Sequence, residues 1–138
     1  MTGKGSLNHN SRKFHAKNTD PNRTHWNVEY CNEDIKDVYH ELFDDALKRY
    51  NDKQTRKDRK IDDYYKKIRS GKQEKLFHEV ILQIGDKDNM GSGTMEGQLA
   101  AKILDEYMKG FQERNPTLRV FAAHLHLDEA TPHLHIDF

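Results

Sequence analysis

The spacing of apolar positions changes several times along the chain, and each change marks an element. Ile35, Val38, Tyr39, Leu42, Phe43, Ala46, Leu47 and Tyr50 recur at gaps of three and four, which predicts one face of an amphipathic helix. Asn32-Glu33-Asp34 supplies a cap and first-turn acids for its start. Ile61, Tyr64, Tyr65 and Ile68 repeat the spacing over a shorter helix that ends at Ser70-Gly71. The paired tyrosines read as core at that spacing rather than as a platform for nucleobases. Lys75 to Ile84 is a near-continuous apolar run and predicts a buried strand. Thr94 can cap a third helix with Leu99, Ile103, Leu104, Tyr107, Met108 and Phe111 as its buried stripe, stopped at Asn115-Pro116. Trp26 to Tyr30 alternates briefly and reads as a strand, while residues 1–25 are polar and read mainly as loop.

The last stretch changes to a period of two. His124, His126 and Asp128 fall on one strand face, with Leu125 and Leu127 on the other; His133, His135 and Asp137 then share a face, with Leu134, Ile136 and Phe138 opposite. Thr131-Pro132 suits re-entry into a strand. Folding the runs into an antiparallel hairpin merges the two histidine faces. Neutral imidazoles so gathered can hold a divalent cation at about 2.0–2.1 Å and leave a position open, which favours catalysis over a structural site. The fold class that follows is α+β, a mostly antiparallel sheet with helices on one face, leaving the histidine face open.

Composition bounds this picture. A chain of 138 residues reads as one domain, and with 34% hydrophobic against 33% charged residues its core is modest. The formal net charge is zero, but Lys48 to Lys75 holds twelve basic and five acidic residues, a net +7. Such asymmetry is what a phosphate-binding surface needs, and Arg56, Lys57, Arg59 and Lys60 lie at its centre. Cys31 is the only cysteine, so no disulfide forms within the chain and a cytoplasmic location is expected. No run is long enough to span a membrane, and no membrane partner is expected.

His126-Leu127-Asp128-Glu129-Ala130-Thr131-Pro132-His133-Leu134-His135 resembles the ungapped H-x-D-E-x-T-P-H-x-H signature of the MobV-type relaxases, the Mob/Pre family of plasmid mobilisation and recombination proteins. His9-Asn10-Ser11-Arg12-Lys13 is similar to the family's first motif, H-N-x-R-[K/N], with Ser11 in place of its common acid. The resemblance implies an HUH-relaxase-like fold and a metal triad of His126, His133 and His135, with His124 as an alternative ligand. It implies a histidine nucleophile at His9, with Glu129 beside metal and nucleophile. The cofactor is then a divalent ion, Mn or Zn. The implied reaction nicks and rejoins one DNA strand at a plasmid or transposon transfer origin through a covalent histidine–5′-phosphate link.

Arg12 would contact the scissile phosphate, and Lys13 with the basic segment would track single-stranded or supercoiled DNA. Family members often carry an Asn-Tyr pair after the first motif; here Val28 follows Asn27, which leaves Tyr30 as the tyrosine rival to His9. Residues 1–138 are then a relaxase catalytic domain, expected to be an N-terminal fragment of a longer protein with further domains. Two alternatives stay open on the sequence: a nuclease using metal-activated water, and a non-catalytic DNA-binding module stabilised by metal.

Overall fold

The structure is a computed structural model that describes residues 6–138, together with the backbone of Thr2–Gly3. In chain order its elements are β1 (Thr2–Gly3), α1 (Leu7–Asn10), β2 (Val28–Asn32), α2 (Ile35–Asp52), α3 (Tyr64–Ser70), β3 (Glu79–Gln83), α4 (Met95–Lys109), α5 (Phe111–Arg114), β4 (Ala122–His126) and β5 (His133–Asp137). They form two compact units, residues 1–32 with 78–138 and, separately, 33–77.

The first unit is built on a sheet ordered β1-β3-β5-β4-β2, with every neighbouring pair antiparallel. Its central strand is β5, the last in sequence. The expected antiparallel hairpin forms, with His124 opposite His135, His126 opposite His133, and Leu125 opposite Leu134. Leu125, Leu134 and Ile136 are buried with Leu104, Met108 and Phe111, so α4 and α5 cover the apolar face. Thr94 caps α4 as expected, its hydroxyl accepting from the Gly97 amide at 3.0 Å.

The buried stripe of α4 is narrower than its sequence predicts. Ala100, Ala101, Leu104 and Met108 face the sheet, whereas Leu99, Ile103 and Tyr107 are exposed. A gap pattern of three and four is satisfied by two adjacent stripes, and the small alanines are what let the helix approach the strands. Residues 6–25 are more ordered than their polarity suggests: Ser6 caps the single turn α1, and Thr24–Trp26 forms a 3-10 turn, so the strand begins at Val28 rather than Trp26.

The second unit holds α2 and α3. Asp34 caps α2 by accepting from the Lys36 amide at 2.7 Å, and Asp63 caps α3 by accepting from the Lys66 amide at 2.9 Å. Tyr39, Phe43, Tyr64 and Tyr65 form an aromatic cluster with ring centroids 5.1–6.0 Å apart. Both tyrosines are therefore packing residues, as their spacing predicts. Leu42 and Tyr50, expected on the buried face of α2, are exposed.

Candidate metal and nucleophile centre

Pleating puts His124, His126, His133, His135, Glu79 and Asp137 on the sheet face opposite α4. His126, His133 and His135 each offer one ligand atom, and these lie within 4.8 Å of one another; His124 is not in this group. The hydrogen bonds fix which ring nitrogen each imidazole keeps free. His126 Nε2 donates to the Asn10 carbonyl at 2.8 Å, leaving Nδ1 buried and without a partner among the described residues. His135 Nδ1 donates to Glu79 Oε1 at 2.7 Å, which leaves Nε2 in the same condition. His133 Nδ1 donates to the Thr131 carbonyl at 2.8 Å, freeing its Nε2.

Three lone pairs backed by three acceptors is the arrangement that orients imidazoles toward a cation. Burial holds His126 neutral down to about 2, aided by the positive charge of Arg12, and burial also lowers His135. Buried nitrogens without partners are costly unless something binds them, so the donor set fits a divalent metal.

Against this trio stands α1, brought from the other end of the chain. The His9 ring lies 6.0 Å from that of His126 and 6.5 Å from that of His135, and His9 Nε2 is 3.3 Å from Glu129 Oε1. His9, His126 and Glu129 form a second group of ligand-type atoms within 4.8 Å, sharing His126 with the first. Arg12 holds this corner. Its Nε and Nη2 grip the Asp128 carboxylate, Nη2 also reaches Glu129 Oε1 at 2.9 Å, and Nη1 donates to the His9 carbonyl at 3.0 Å and meets His9 Nε2 at 3.2 Å. The Arg12 backbone has φ +51°, a left-handed conformation uncommon outside glycine, which turns the chain back so that the side chain reaches its own helix. Asn18 Nδ2 donates to Glu129 Oε2 at 2.8 Å and fixes the second carboxylate oxygen.

Several residues do more than the sequence reading assigns to them. Asp128, placed by its period on the strand face of His124 and His126 and given no role there, is fully buried. Burial alone would raise its carboxyl, but hydrogen bonds from Arg12 and Thr24 outweigh that and hold it at about 2. Asn10, 1% exposed, donates to Glu79 Oε1 at 2.8 Å and Asp137 Oδ2 at 3.4 Å, so the residue after His9 is bolted under the candidate ligands. Burial, with the Glu79 charge nearby, pushes the Asp137 carboxyl up to about 7. A glutamate opening an otherwise apolar strand was the signal that could have found Glu79.

Tyr30, the rival nucleophile, packs against the core on the other face and donates to Asp105 Oδ1 at 2.7 Å. Lys13 is exposed on the loop after α1. Arg56, Lys57, Arg59 and Lys60 are exposed in the second unit, with Arg56 paired to Asp58.

Comparison with known proteins gives a consistent result. The family model described as plasmid recombination enzyme (Mob_Pre) matches residues 4–138. Among solved structures, the MobM relaxase domain bound to a 22-nucleotide plasmid pMV158 oriT strand, a Mn-bound crystal structure at pH 5.5, is 27% identical with a TM-score of 0.53, over 95% of this chain and 60% of that one. The same domain at pH 4.6 gives 27% and 0.52 over the same shares. With a 3′-thiophosphate strand at pH 6.8 it gives 25% and 0.51. The chain thus spans about 60% of the length of the solved domains it matches. No curated protein matches it.

Proposed function

We propose a function from one premise: this chain belongs to the Mob/Pre family of plasmid recombination enzymes. It is a metal-dependent DNA relaxase domain that cuts one strand at a plasmid or transposon transfer origin, stays attached to the new 5′ phosphate through His9, and later rejoins the ends. The observation that carries this reading is His9, from the first motif, lying 3.3 Å from Glu129 and one ring away from His126 and His135, more than a hundred residues later.

In the cutting step a lone pair of the His9 imidazole attacks the phosphodiester phosphorus. The new N–P bond forms as the P–O3′ bond breaks, and the 3′ oxygen leaves with the electron pair and takes up a proton. Glu129, on His9 Nε2, orients the ring and accepts its proton. Arg12, charge-balanced by Asp128 and Glu129 and with its donors spent on them and on His9, positions the nucleophile rather than contacting the phosphate as the sequence suggested. His126, His133 and His135 would hold a divalent ion, Mn or Zn, which supplies polarisation of the non-bridging phosphate oxygens. Because the phosphoramidate conserves the energy of the broken strand, rejoining needs only the reverse displacement by a 3′ hydroxyl. Lys13, Arg56, Lys57, Arg59 and Lys60 would contact the backbone of single-stranded or supercoiled DNA. A cytoplasmic setting is part of the proposal, and no helix among the described residues is long and apolar enough to cross a membrane.

The test is incubation with an origin-bearing oligonucleotide and Mn or Zn, then denaturing electrophoresis. A protein–DNA adduct is expected from the native chain and from Tyr30→Phe, and none from His9→Ala. Cleavage without an adduct would establish a metal-water nuclease instead, and binding without cleavage a DNA-binding module.

A further inference from the structure

Among the described residues, six buried side-chain polar atoms lack a hydrogen-bond partner: two belong to the candidate metal ligands and one to Asp137, and the other three are Asn10 Oδ1, Asn27 Nδ2 and His124 Nδ1. The residues that bear those three atoms all line one cavity of about 160 Å³, walled also by Arg12, Val28 and His126. One water needs about 10–15 Å³ on the same measure, so a single bridging water does not fill it.

The cavity's chemistry can be read from its bonds. His124 Nε2 meets Glu29 Oε2 at 3.1 Å, so that nitrogen carries the proton and Nδ1 is an acceptor. Asn27 Oδ1 accepts from the Leu127 and Asp128 amides at 2.7 and 3.2 Å, which orients Nδ2 as a donor. Arg12 spends its donors on Asp128, Glu129 and His9 and brings no unbalanced charge. The remaining charge on the wall is the Glu29 carboxylate, which repels a phosphate, and a donor and acceptors beside apolar Val28 suit a flat, uncharged heterocycle instead.

We propose that this cavity receives one nucleobase of the DNA strand, turned out of its stack, with Asn27 Nδ2 donating to a base acceptor and His124 Nδ1 accepting from a base N–H. The proposal rests on the relaxase reading above and adds a place where the strand is held by a base rather than by its phosphates. Flipped bases are commonly read in this way, through hydrogen bonds along the pairing edge. Because Arg12 and His126 belong both to this cavity and to the nucleophile corner, a seated base would fix the register of the strand over His9.

The experiment compares Mn-loaded protein with a twenty-nucleotide thymidine strand and an abasic strand of equal length and charge. Fluorescence anisotropy is expected to show about tenfold tighter binding of the thymidine strand. His124→Phe, which keeps a ring but removes Nδ1, should lose at least half of that ratio on a logarithmic scale while binding the abasic strand as before. In the native chain the His124 Nδ1 resonance should move on adding the thymidine strand and stay fixed with the abasic one, a measurement that does not depend on the variant folding. Equal affinities, an unchanged ratio in His124→Phe or a stationary Nδ1 signal would each overturn the proposal and leave the cavity to solvent. Adduct formation is scored separately, so a base-selective protein that forms no adduct would keep the cavity and lose the relaxase reading.

Discussion

At the scale of single residues, the acceptors behind the imidazoles matter as much as the imidazoles. Glu79 takes the His135 Nδ1 proton and the Asn10 amide together, so it sets both the tautomer of a ligand and the seat of the turn that carries His9. Glu79→Gln keeps the shape but removes the charge; Mn affinity measured by calorimetry should fall about 10–100-fold. Asp137 gives a pH signature. Its folded pKa of about 7 lies above the ordinary 3.8, so the folded chain keeps a proton that the unfolded chain has released. That holding is free of cost below about 4, grows as pH rises, and is complete above about 7. Metal-free Asp137→Asn should therefore unfold at a higher temperature than the native chain at pH 8, by up to about 4 kcal/mol, with the difference fading toward pH 4. An advantage that grows on acidification would contradict the assignment.

At the scale of elements, the loop before α4 is what presents the Glu129 turn. The Ser92 hydroxyl donates to the Glu129 carbonyl at 2.8 Å and its amide to the Ala130 carbonyl at 3.0 Å, while Gln98 Nε2 donates to the Ser92 carbonyl at 2.9 Å. Gly97 permits this closeness, because a Cβ there would stand 1.9 Å from the Gly91 carbonyl oxygen. Gly97→Ala must push the loop away; a loss of about 1–3 kcal/mol in chemical denaturation, with weaker adduct formation, is expected.

The elements also show what the sequence made legible. The alternating histidines gave the shared face directly, because a period of two leaves a strand only one way to face; the choice of three imidazoles among four came from the family resemblance. The cap at Thr94 was equally plain, and that of α2 was placed within Asn32-Glu33-Asp34 without saying which residue serves. What lay hidden was the tertiary part: Leu99, Ile103 and Tyr107 share a helical period with residues that do reach the sheet, and Asn10 and Asp128 are polar residues whose burial depends on partners more than a hundred positions away. No local pattern encodes those partners.

At the scale of the whole molecule, residues 33–77 leave and re-enter the sheet along one row. Asn32 pairs with Ala122, Ala122 with Asp137, and Asp137 with Glu79. Three strand spacings, about 14 Å, separate the ends, a span that about eight Gly/Ser residues cover. Replacing 33–77 by such a linker should preserve the Mn-dependent rise in melting temperature, since every ligand and acceptor lies in the first unit. It should also weaken single-stranded DNA binding and flatten its salt dependence, because the basic segment is gone. Loss of the metal response would show that the two units fold as one.

The sheet order carries a last consequence for how such a chain emerges from a ribosome. Strand β5 fills the gap between β3 and β4, so until residues 133–137 are made those two strands have no shared neighbour and two of the three candidate imidazole donors are missing. The strand that closes the sheet is thus also the one that completes the candidate ion site, so the ordering of the fold and the assembly of the donor set arrive together.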